Sequence, residues 1–209
     1  MDTISTYPLG KAIKDFAGGA LVVAFDLETT GLDPRQDEIV EIGAVKFDKS
    51  GLIARFSTLV NPGIPMPAEA GRVNNITDEM LRGKPSLAAV LPDFLPFIRN
   101  AVLAAHNAPF DCGFVNEKLK TLWQKRENTF FGAAETWTPP FPALPNPVAD
   151  TLAFSREVFQ SRDPSTRKSY SLQNLAAELG IHAADAHRAE DDARLCMEIF
   201  LRIYNSSRG

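Results

Sequence analysis

Two acidic residues, Asp26 and Glu28, stand two positions apart at the end of the apolar run ALVVAFD. Side chains at positions i and i+2 of a strand point to the same face, so the two carboxylates are expected to lie side by side. Adjacent negative charges resist ionisation unless a cation lies between them, and carboxylate oxygens suit magnesium or manganese. The pair predicts a metal site; taken alone, it also fits two solvated acids at a strand end.

The four residues after this pair are Thr29, Thr30, Gly31 and Leu32. A turn of this composition presents backbone N–H groups and hydroxyls that can bind a phosphate or a sugar. The turn therefore favours a nucleotide-binding role beside the predicted metal site.

A third acid, Asp111, is expected near the start of a helix in the segment AHNAPFDCGFV. An Asp in a first helical turn often serves only to interact with the helix dipole, and both readings remain open from the residue alone. His106 and Phe110, taken singly, are typical of a hydrogen-bonded histidine and a core aromatic residue.

The segment DAHRAEDDARLC contributes His187 and Asp192, five residues apart. In one continuous helix their side chains would diverge by roughly 140°, so a shared function places His187 ahead of the helix. The alternative is an acidic helix start without catalytic meaning. Phosphodiester hydrolysis needs convergent carboxylates that hold two metals about 4 Å apart and a base that accepts a proton from water.

Three strand-like runs, ALVVAFD, EIVEIGAVKF and LIARFSTLV, are separated by turn residues and predict an antiparallel meander. Helical patterns then alternate with short strands at NAVLAAHN and PVAD, and a last helix is predicted over 188–205. This order predicts an α/β domain with a mixed sheet of about five strands and helices on both faces.

Two segments fall outside this frame. Residues 1–18 are interpreted as an N-terminal extension of one or two amphipathic turns before a single domain over 19–209. Residues 124–147 are predicted to be an irregular insert rich in proline and aromatic residues. Its aromatic side chains could stack on unpaired bases or cover the core, and the sequence does not separate these roles.

The net charge of −4 and a sequence pI near 5.4 argue against a broad basic surface that coats nucleic acid. These values are compatible with a small site that binds one end of a nucleic-acid strand through metal ions. The chain shows no membrane-span pattern and no signal peptide, and its two cysteines are in no metal-binding spacing. A cytoplasmic location is therefore expected.

Taken together, the segments FDLETTGL, HNAPFD and HRAEDDA resemble, in order, the motifs of the DEDD 3′-5′ exonucleases of the epsilon proofreading type, which include ribonuclease T. The similarity runs from about residue 20 to about residue 205, and a His separated by four residues from the last Asp is typical of the histidine subclass. The resemblance implies a ribonuclease H-like fold and an enzyme that removes nucleoside monophosphates from a nucleic-acid 3′ end in proofreading or repair.

The resemblance also implies residue roles. Two Mg²⁺ ions, replaceable by Mn²⁺, would be held by four carboxylates, with His187 as general base. The metal ligands are Asp26, Glu28, Asp111 and Asp192. The substrate-binding residues are Thr29, Thr30, Gly31, Leu32, Glu69, Asn74, His106, Asn107 and Phe110.

Asn74-Asn75 stands where relatives usually carry His-Gly, so altered binding of the terminal nucleotide is expected. The chain also ends near residue 209, without the long tail that tethers the epsilon subunit to its polymerase. A polymerase partner and a homodimer therefore both stay open. DNA is the expected substrate. The alternatives are RNA and a non-catalytic nucleic-acid or polymerase-binding module, and the retained carboxylates argue against the module.

Overall fold

The computed structural model describes residues 4, 6–128, 139–159, 169–182 and 188–207, and for 126–128 the backbone only. One five-stranded sheet in these ranges has the spatial order β3-β2-β1-β4-β5. Its strands are β1 (Val22–Thr29), β2 (Ile39–Asp48), β3 (Gly51–Leu59), β4 (Val102–Ala105) and β5 (Val148–Asp150). β1 pairs antiparallel with β2 and parallel with β4, which confirms the predicted mixed sheet.

Helices cover both faces of the sheet, as expected. The helices are α1 (Leu9–Ala17), α2 (Ala68–Asn74), α3 (Asp78–Leu81), α4 (Leu87–Ile98), α5 (Ala108–Asn128), α6 (Thr151–Val158), α7 (Leu172–Glu178) and α8 (Ala189–Ser206). Buried residues of α1, α6, α7 and α8 share one apolar layer, and buried residues of α4 and α5 share the other. None of the helices in the described ranges combines the length and apolarity that a bilayer crossing requires.

β1 is apolar because both of its faces are buried. Its even positions face the layer that contains α8 and its odd positions face the layer of α4 and α5, in the sets Val22 and Ala24 against Val23, Phe25 and Leu27. Asp26 and Glu28 continue the even series, so they lie on the α8 side of the sheet where the strand ends.

The meander of β1, β2 and β3 forms as the sequence predicts. Asp48 closes the turn between β2 and β3 by accepting hydrogen bonds from the backbone N–H and the hydroxyl of Ser50, both at 2.7 Å. Gly51 follows with a φ of 121°, a conformation that other residues rarely adopt. This tight turn sets the register between β2 and β3.

The helix near the N-terminus is longer and more deeply packed than the predicted turn or two. Phe16 of α1 is 1% exposed. Its ring centroid lies 5.8 Å from that of Phe47, 5.2 Å from Phe200 and 4.8 Å from Tyr204. Residues 9–17 therefore belong to the same core as β2 and α8, while the division of the chain at residue 18 stays a prediction.

The insert begins later than the sequence suggests. Residues 124–128, predicted to be irregular, are the last turn of α5, because helical hydrogen bonding continues past the apolar positions of that helix. Residues 129–138, which include Phe130, Phe131 and Trp137, lie outside the described ranges. Phe141 and Leu144 pack partly buried against the core, so this end of the insert covers the α5 side.

Candidate metal centre

The two acids of β1 stand where the sequence places them, at the strand's carboxyl end and partly buried. Asp192 joins them from the first turn of α8, where its backbone N–H donates to the carbonyl oxygen of Arg188 at 3.0 Å. One carboxylate oxygen from each of Asp26, Glu28 and Asp192 lies within 4.8 Å of the others. Strand periodicity and one helical turn thus bring three of the four predicted ligands together.

Asp111 lies just outside this group of three. It is 3% exposed in the first turn of α5, and its Oδ1 accepts a hydrogen bond from the N–H of Leu27 at 3.1 Å. Leu27 stands between Asp26 and Glu28, so this bond ties α5 to the acidic end of β1. The negative charge of Asp111 also raises the pKa of Asp26, which places the two carboxylates in electrostatic contact. The role of Asp111 as a metal ligand stays a prediction.

The cluster is electrostatically unfavourable without a cation. Burial, followed by the charges of Asp111 and Asp192, raises the pKa of Asp26 well above its ordinary value. Burial and the charge of Asp192 raise the pKa of Glu28 to about 8. Burial also raises the pKa of Asp111 to about 8, although the bond from Leu27 opposes the shift. Converging oxygen donors with suppressed ionisation fit a hard dication, which would restore their charged forms.

These pKa shifts predict how the metal-free protein responds to pH. A raised pKa means that the folded state binds the proton more tightly than the unfolded chain, so stability is full below the unfolded pKa and is lost as pH rises through the folded pKa. In EDTA, the melting temperature should therefore fall between about pH 5 and about pH 8.5, as Glu28 and Asp111 pass through their pKa values of about 8.

The matched control is the double variant Glu28→Gln with Asp111→Asn, which removes both titrations. Calorimetric melting of the two proteins across pH measures the difference. If the melting temperature changed with pH equally in the wild type and the double variant, the ionisation of these carboxylates would not be suppressed in the folded protein.

Several neighbours of the cluster are visible only in the structure. Glu41 of β2 lies directly across from Glu28, is 1% exposed and pairs with Arg188. Gln173 of α7 donates to both carboxylate oxygens of Asp192, at 3.2 and 3.4 Å. A charged residue inside the apolar run EIVEIGAV was a signal that could have drawn attention to Glu41. Gln173 carried no such signal, because a Gln in an amphipathic helix is ordinary and its sequence position does not show that it lies beside Asp192.

Asp150 is a further acid that sequence reasoning missed. It is 8% exposed at the end of β5, and its Oδ1 accepts hydrogen bonds from Leu152 and Ala153 at the start of α6. The same oxygen accepts from the N–H of Asn107 at 3.2 Å. Asp150 therefore fixes the turn that leads from β4 into α5 and the buried Asp111.

His106 is engaged by the protein through both ring nitrogens. Nδ1 lies 3.1 Å from the hydroxyl of Thr151, and Nε2 lies 2.7 Å from the carbonyl oxygen of Tyr170. That carbonyl can only accept, so Nε2 carries a proton, and burial lowers the pKa of the ring. The contacts support the structural hydrogen bond that its position suggested. Contact with substrate stays a prediction for His106.

The turn after Glu28 holds itself together through its hydroxyls. Thr29 Oγ1 donates to the carbonyl oxygen of Gly31 at 2.5 Å, and Thr30 Oγ1 accepts from the N–H of Glu38 at 2.9 Å. A Cβ at Gly31 would lie 2.4 Å from a carboxylate oxygen of Asp37, so any larger residue there would displace the carboxylate that accepts from the N–H of Asp33. Leu32 is 82% exposed and is the side chain that the turn presents outward.

Asn74 and Glu69 occupy opposite environments on α2. Asn74 is 2% exposed, and its Nδ2 donates to the carbonyl oxygen of Thr29 at 3.3 Å while its Oδ1 accepts from the N–H of Ile76. Asn74 therefore joins α2 to the end of β1. Asn75 is the C-cap of α2 and has a left-handed backbone conformation with a φ of 57°. Glu69 is exposed in the first turn.

Asn107 and Phe110, which precede Asp111 in the sequence, remain accessible to solvent. Asn107 is exposed with a left-handed φ of 82°, and Phe110 is half-buried with its ring centroid 5.0 Å from that of Phe114. Asn107 lines one cleft together with Asp26 and Asp192. His187 falls in 183–187, outside the described residues, so its place beside the cluster stays a prediction.

Comparison with known proteins agrees with this geometry. The family profile described as Exonuclease matches residues 23–200. The DNA polymerase III subunit epsilon of Treponema pallidum is 45% identical over 177 residues, which span 85% of this chain and 73% of that protein. The epsilon subunit of Aquifex aeolicus is 34% identical over 94% of this chain and 86% of its own length. The PolC-type DNA polymerase III of Thermotoga maritima is 37% identical, but the match spans only 12% of that protein.

Solved structures show the same fold. Exonuclease X in complex with 5′ overhanging duplex DNA superposes with a TM-score of 0.65 at 23% identity, covering 90% of this chain and 93% of that one. A zinc-bound E. coli ExoI-ssDNA complex gives 0.70 at 18% identity, covering 90% of this chain and 41% of that one. With the family match over most of its length, the chain belongs to the exonuclease family, as a nuclease of the DEDD 3′-5′ type.

Proposed function

We propose that this protein removes nucleotides one at a time from the 3′ end of DNA, using a divalent-metal site built on Asp26, Glu28, Asp111 and Asp192. The observation that carries the proposal is the convergence of carboxylate oxygens from β1 and α8 within 4.8 Å in a cleft. The epsilon subunits that are 45% and 34% identical to this chain support DNA as the substrate.

Mg²⁺ is the proposed cation, because hard oxygen donors dominate the cluster and no Cys or His stands within the group of three. Two bound dications would supply charge stabilisation to the phosphoryl oxygens and to the leaving oxygen of the scissile bond. The carboxylates themselves fix where that charge lies, since their backbones belong to rigid elements of the core.

The remaining residues bind and orient the chain end. The exposed Leu32 and the turn that carries it would meet the terminal nucleotide beside Glu28. Exposed Asn107 and half-buried Phe110 would contact the strand on the α5 side. His187 would accept the proton of the attacking water, the task for which a neutral imidazole is suited near neutral pH.

A DNA polymerase is the proposed partner. Both epsilon relatives are named as subunits of DNA polymerase III, and the PolC-type relatives contain the matching region within a much longer polymerase chain. Size-exclusion chromatography with the polymerase of the source organism tests this. Co-elution supports the partnership, whereas a dimer of this chain that excludes the polymerase contradicts it.

Substrate choice is tested by parallel digestion of single-stranded DNA, duplex DNA with a mismatched 3′ end, and RNA, each in magnesium and in EDTA. We expect mononucleotides from both DNA substrates in magnesium and none in EDTA. Degradation of RNA in preference to DNA would overturn the choice of DNA. Cleavage at internal phosphodiester bonds of the DNA would overturn the exonuclease assignment.

A further inference from the structure

Glu41 is a buried carboxylate that belongs to no predicted motif. It lies across from Glu28 in the β1–β2 pairing, and its neighbour two positions on, Gly43, lies across from Asp26. Cross-strand partners share a face of the sheet, so Glu41 stands on the same side as the acidic cluster. Its negative charge raises the pKa of both Asp26 and Glu28.

The charge of Glu41 is matched by Arg188, the N-cap residue directly before α8. Arg188 donates from Nη2 to Oε1 at 2.7 Å and from Nε to both carboxylate oxygens at 3.2 Å. Glu41 Oε2 also accepts from the N–H of Ala189 at 3.2 Å. Arg188 makes no side-chain cap to its own helix, so Glu41 caps α8 from the neighbouring strand.

The contact between β2 and α8 is close enough to fix the helix. A Cβ at Gly43 would lie 2.0 Å from the carbonyl carbon of Ala189 and 2.1 Å from the N of Glu190, so the first turn of α8 rests directly on the strand backbone. Asp192 follows one turn later, held by the bond from its N–H to the carbonyl oxygen of Arg188. The position of Asp192 therefore depends on where Arg188 is anchored.

We propose that the Glu41–Arg188 pair positions Asp192 for metal binding, with Glu41 itself outside the set of metal ligands. The inference rests on the proposed metal-dependent function. It assigns to these two residues an effect on metal affinity. Loss of a contact that supports a metal ligand typically weakens metal binding by about 10–100-fold.

Arg188→Ala gives the sharpest test, because positioning and simple electrostatics predict opposite signs. Removing a positive charge near the carboxylates would tighten cation binding if charge alone mattered. Loss of positioning should instead weaken Mn²⁺ binding by about 10–100-fold, measured by calorimetric titration without nucleic acid. Tighter or unchanged Mn²⁺ binding in this variant would overturn the proposal.

Arg188→Ala leaves the buried Glu41 without its cationic partner, so the variant risks unfolding. The double variant Glu41→Ala with Arg188→Ala removes both charges together and keeps the net charge of the site. It should bind Mn²⁺ as weakly as Arg188→Ala does, since both variants break the same contact between Glu41 and Arg188. Wild-type Mn²⁺ affinity in the folded double variant would also overturn the proposal.

A matched control is Arg55→Ala, which removes an exposed guanidinium that pairs with Glu190 in the same turn of α8 at 3.1 Å. This variant should bind Mn²⁺ within about twofold of wild type, because exposed ion pairs contribute little. If Arg188→Ala changed only the KM for DNA, Arg188 would be a phosphate contact and the positioning role would fall. Failure of the wild-type protein to bind Mn²⁺ would instead refute the proposed function.

Discussion

Replacing Asp26 by Asn is expected to reduce exonuclease turnover by at least about 10³-fold while the protein stays folded. Asp26 stands at the centre of the cluster, where the carboxylates of Asp111, Asp192 and Glu28 all act on it. Metal ions supply several kcal/mol of transition-state stabilisation, and each 1.4 kcal/mol or so corresponds to a tenfold change in rate. Rates of nucleotide release at saturating magnesium measure the loss.

The same variant should melt at a higher temperature than wild type in EDTA at about pH 8. The raised pKa of Asp26 means that its ionisation opposes folding when no cation is bound, and Asn removes that charge with little change in shape. A gain of about 1 kcal/mol in the free energy of unfolding would raise the melting temperature of a protein of this size by about 2–4 °C.

Exposed Asp93 of α4, on the face of the sheet opposite the cluster, is the comparison site. Asp93→Asn should retain turnover. Unfolding of Asp26→Asn in EDTA would point to a structural role for Asp26. Retained turnover in that variant would remove it from the metal site.

Replacing His187 by Ala is expected to reduce turnover by about 10²–10⁴-fold, the usual contribution of a general base. Mn²⁺ affinity should stay near wild type, because the carboxylates hold the cation. The base must be neutral to accept a proton, so the wild-type rate should fall on the acid side as the imidazole protonates, and that limb should flatten in the variant.

His106 provides the matched histidine control. Both of its ring nitrogens contact protein groups, so His106→Ala should alter stability more than the shape of the pH profile. The measurement is single-turnover rate against pH for the three proteins, corrected for the pH dependence of metal binding. A His187→Ala profile that follows wild type with an unchanged rate would exclude the assigned role.

Much of the fold was predictable from the sequence because its signals are local. The apolar run that ends in Asp26 predicts a strand buried on both faces, and alternation alone places Glu28 beside Asp26. A Thr directly before an acidic first turn is typical of a helix N-cap, and the hydroxyl of Thr77 accepts from the N–H of Met80 at the start of α3. A Gly just after a helical pattern is likewise typical of a helix end, and Gly180 follows α7 with a φ of 66°.

Contacts between distant segments were harder to predict. The bond from Leu27 to Asp111 joins residues 84 positions apart, and the pair of Glu41 and Arg188 joins residues 147 apart. Such contacts depend on how β1 packs against α5 and β2 against α8, which periodicity does not encode. The helical continuation to Asn128 was missed for a related reason, because a polar helix end and an irregular loop share the same composition.

The spacing of His187 and Asp192 was informative in a different way. It required a break before the helix, and α8 does begin at Ala189, between the two residues. The distance from Asp192 to Asp26 and Glu28 needed the tertiary structure, since it depends on one helical turn laid against Gly43.

The most direct test of the central claim follows metal occupancy and hydrolysis together. Mn²⁺ is titrated into the protein with a 5′-labelled single-stranded DNA, and bound metal and strand length are measured over the same range. If the carboxylate cluster is the catalytic site, the DNA shortens from its 3′ end in single-nucleotide steps as two ions bind. Asp192→Asn should then both bind Mn²⁺ more weakly and release fewer nucleotides. Shortening that proceeds without bound metal, or equally in Asp192→Asn, would contradict the account.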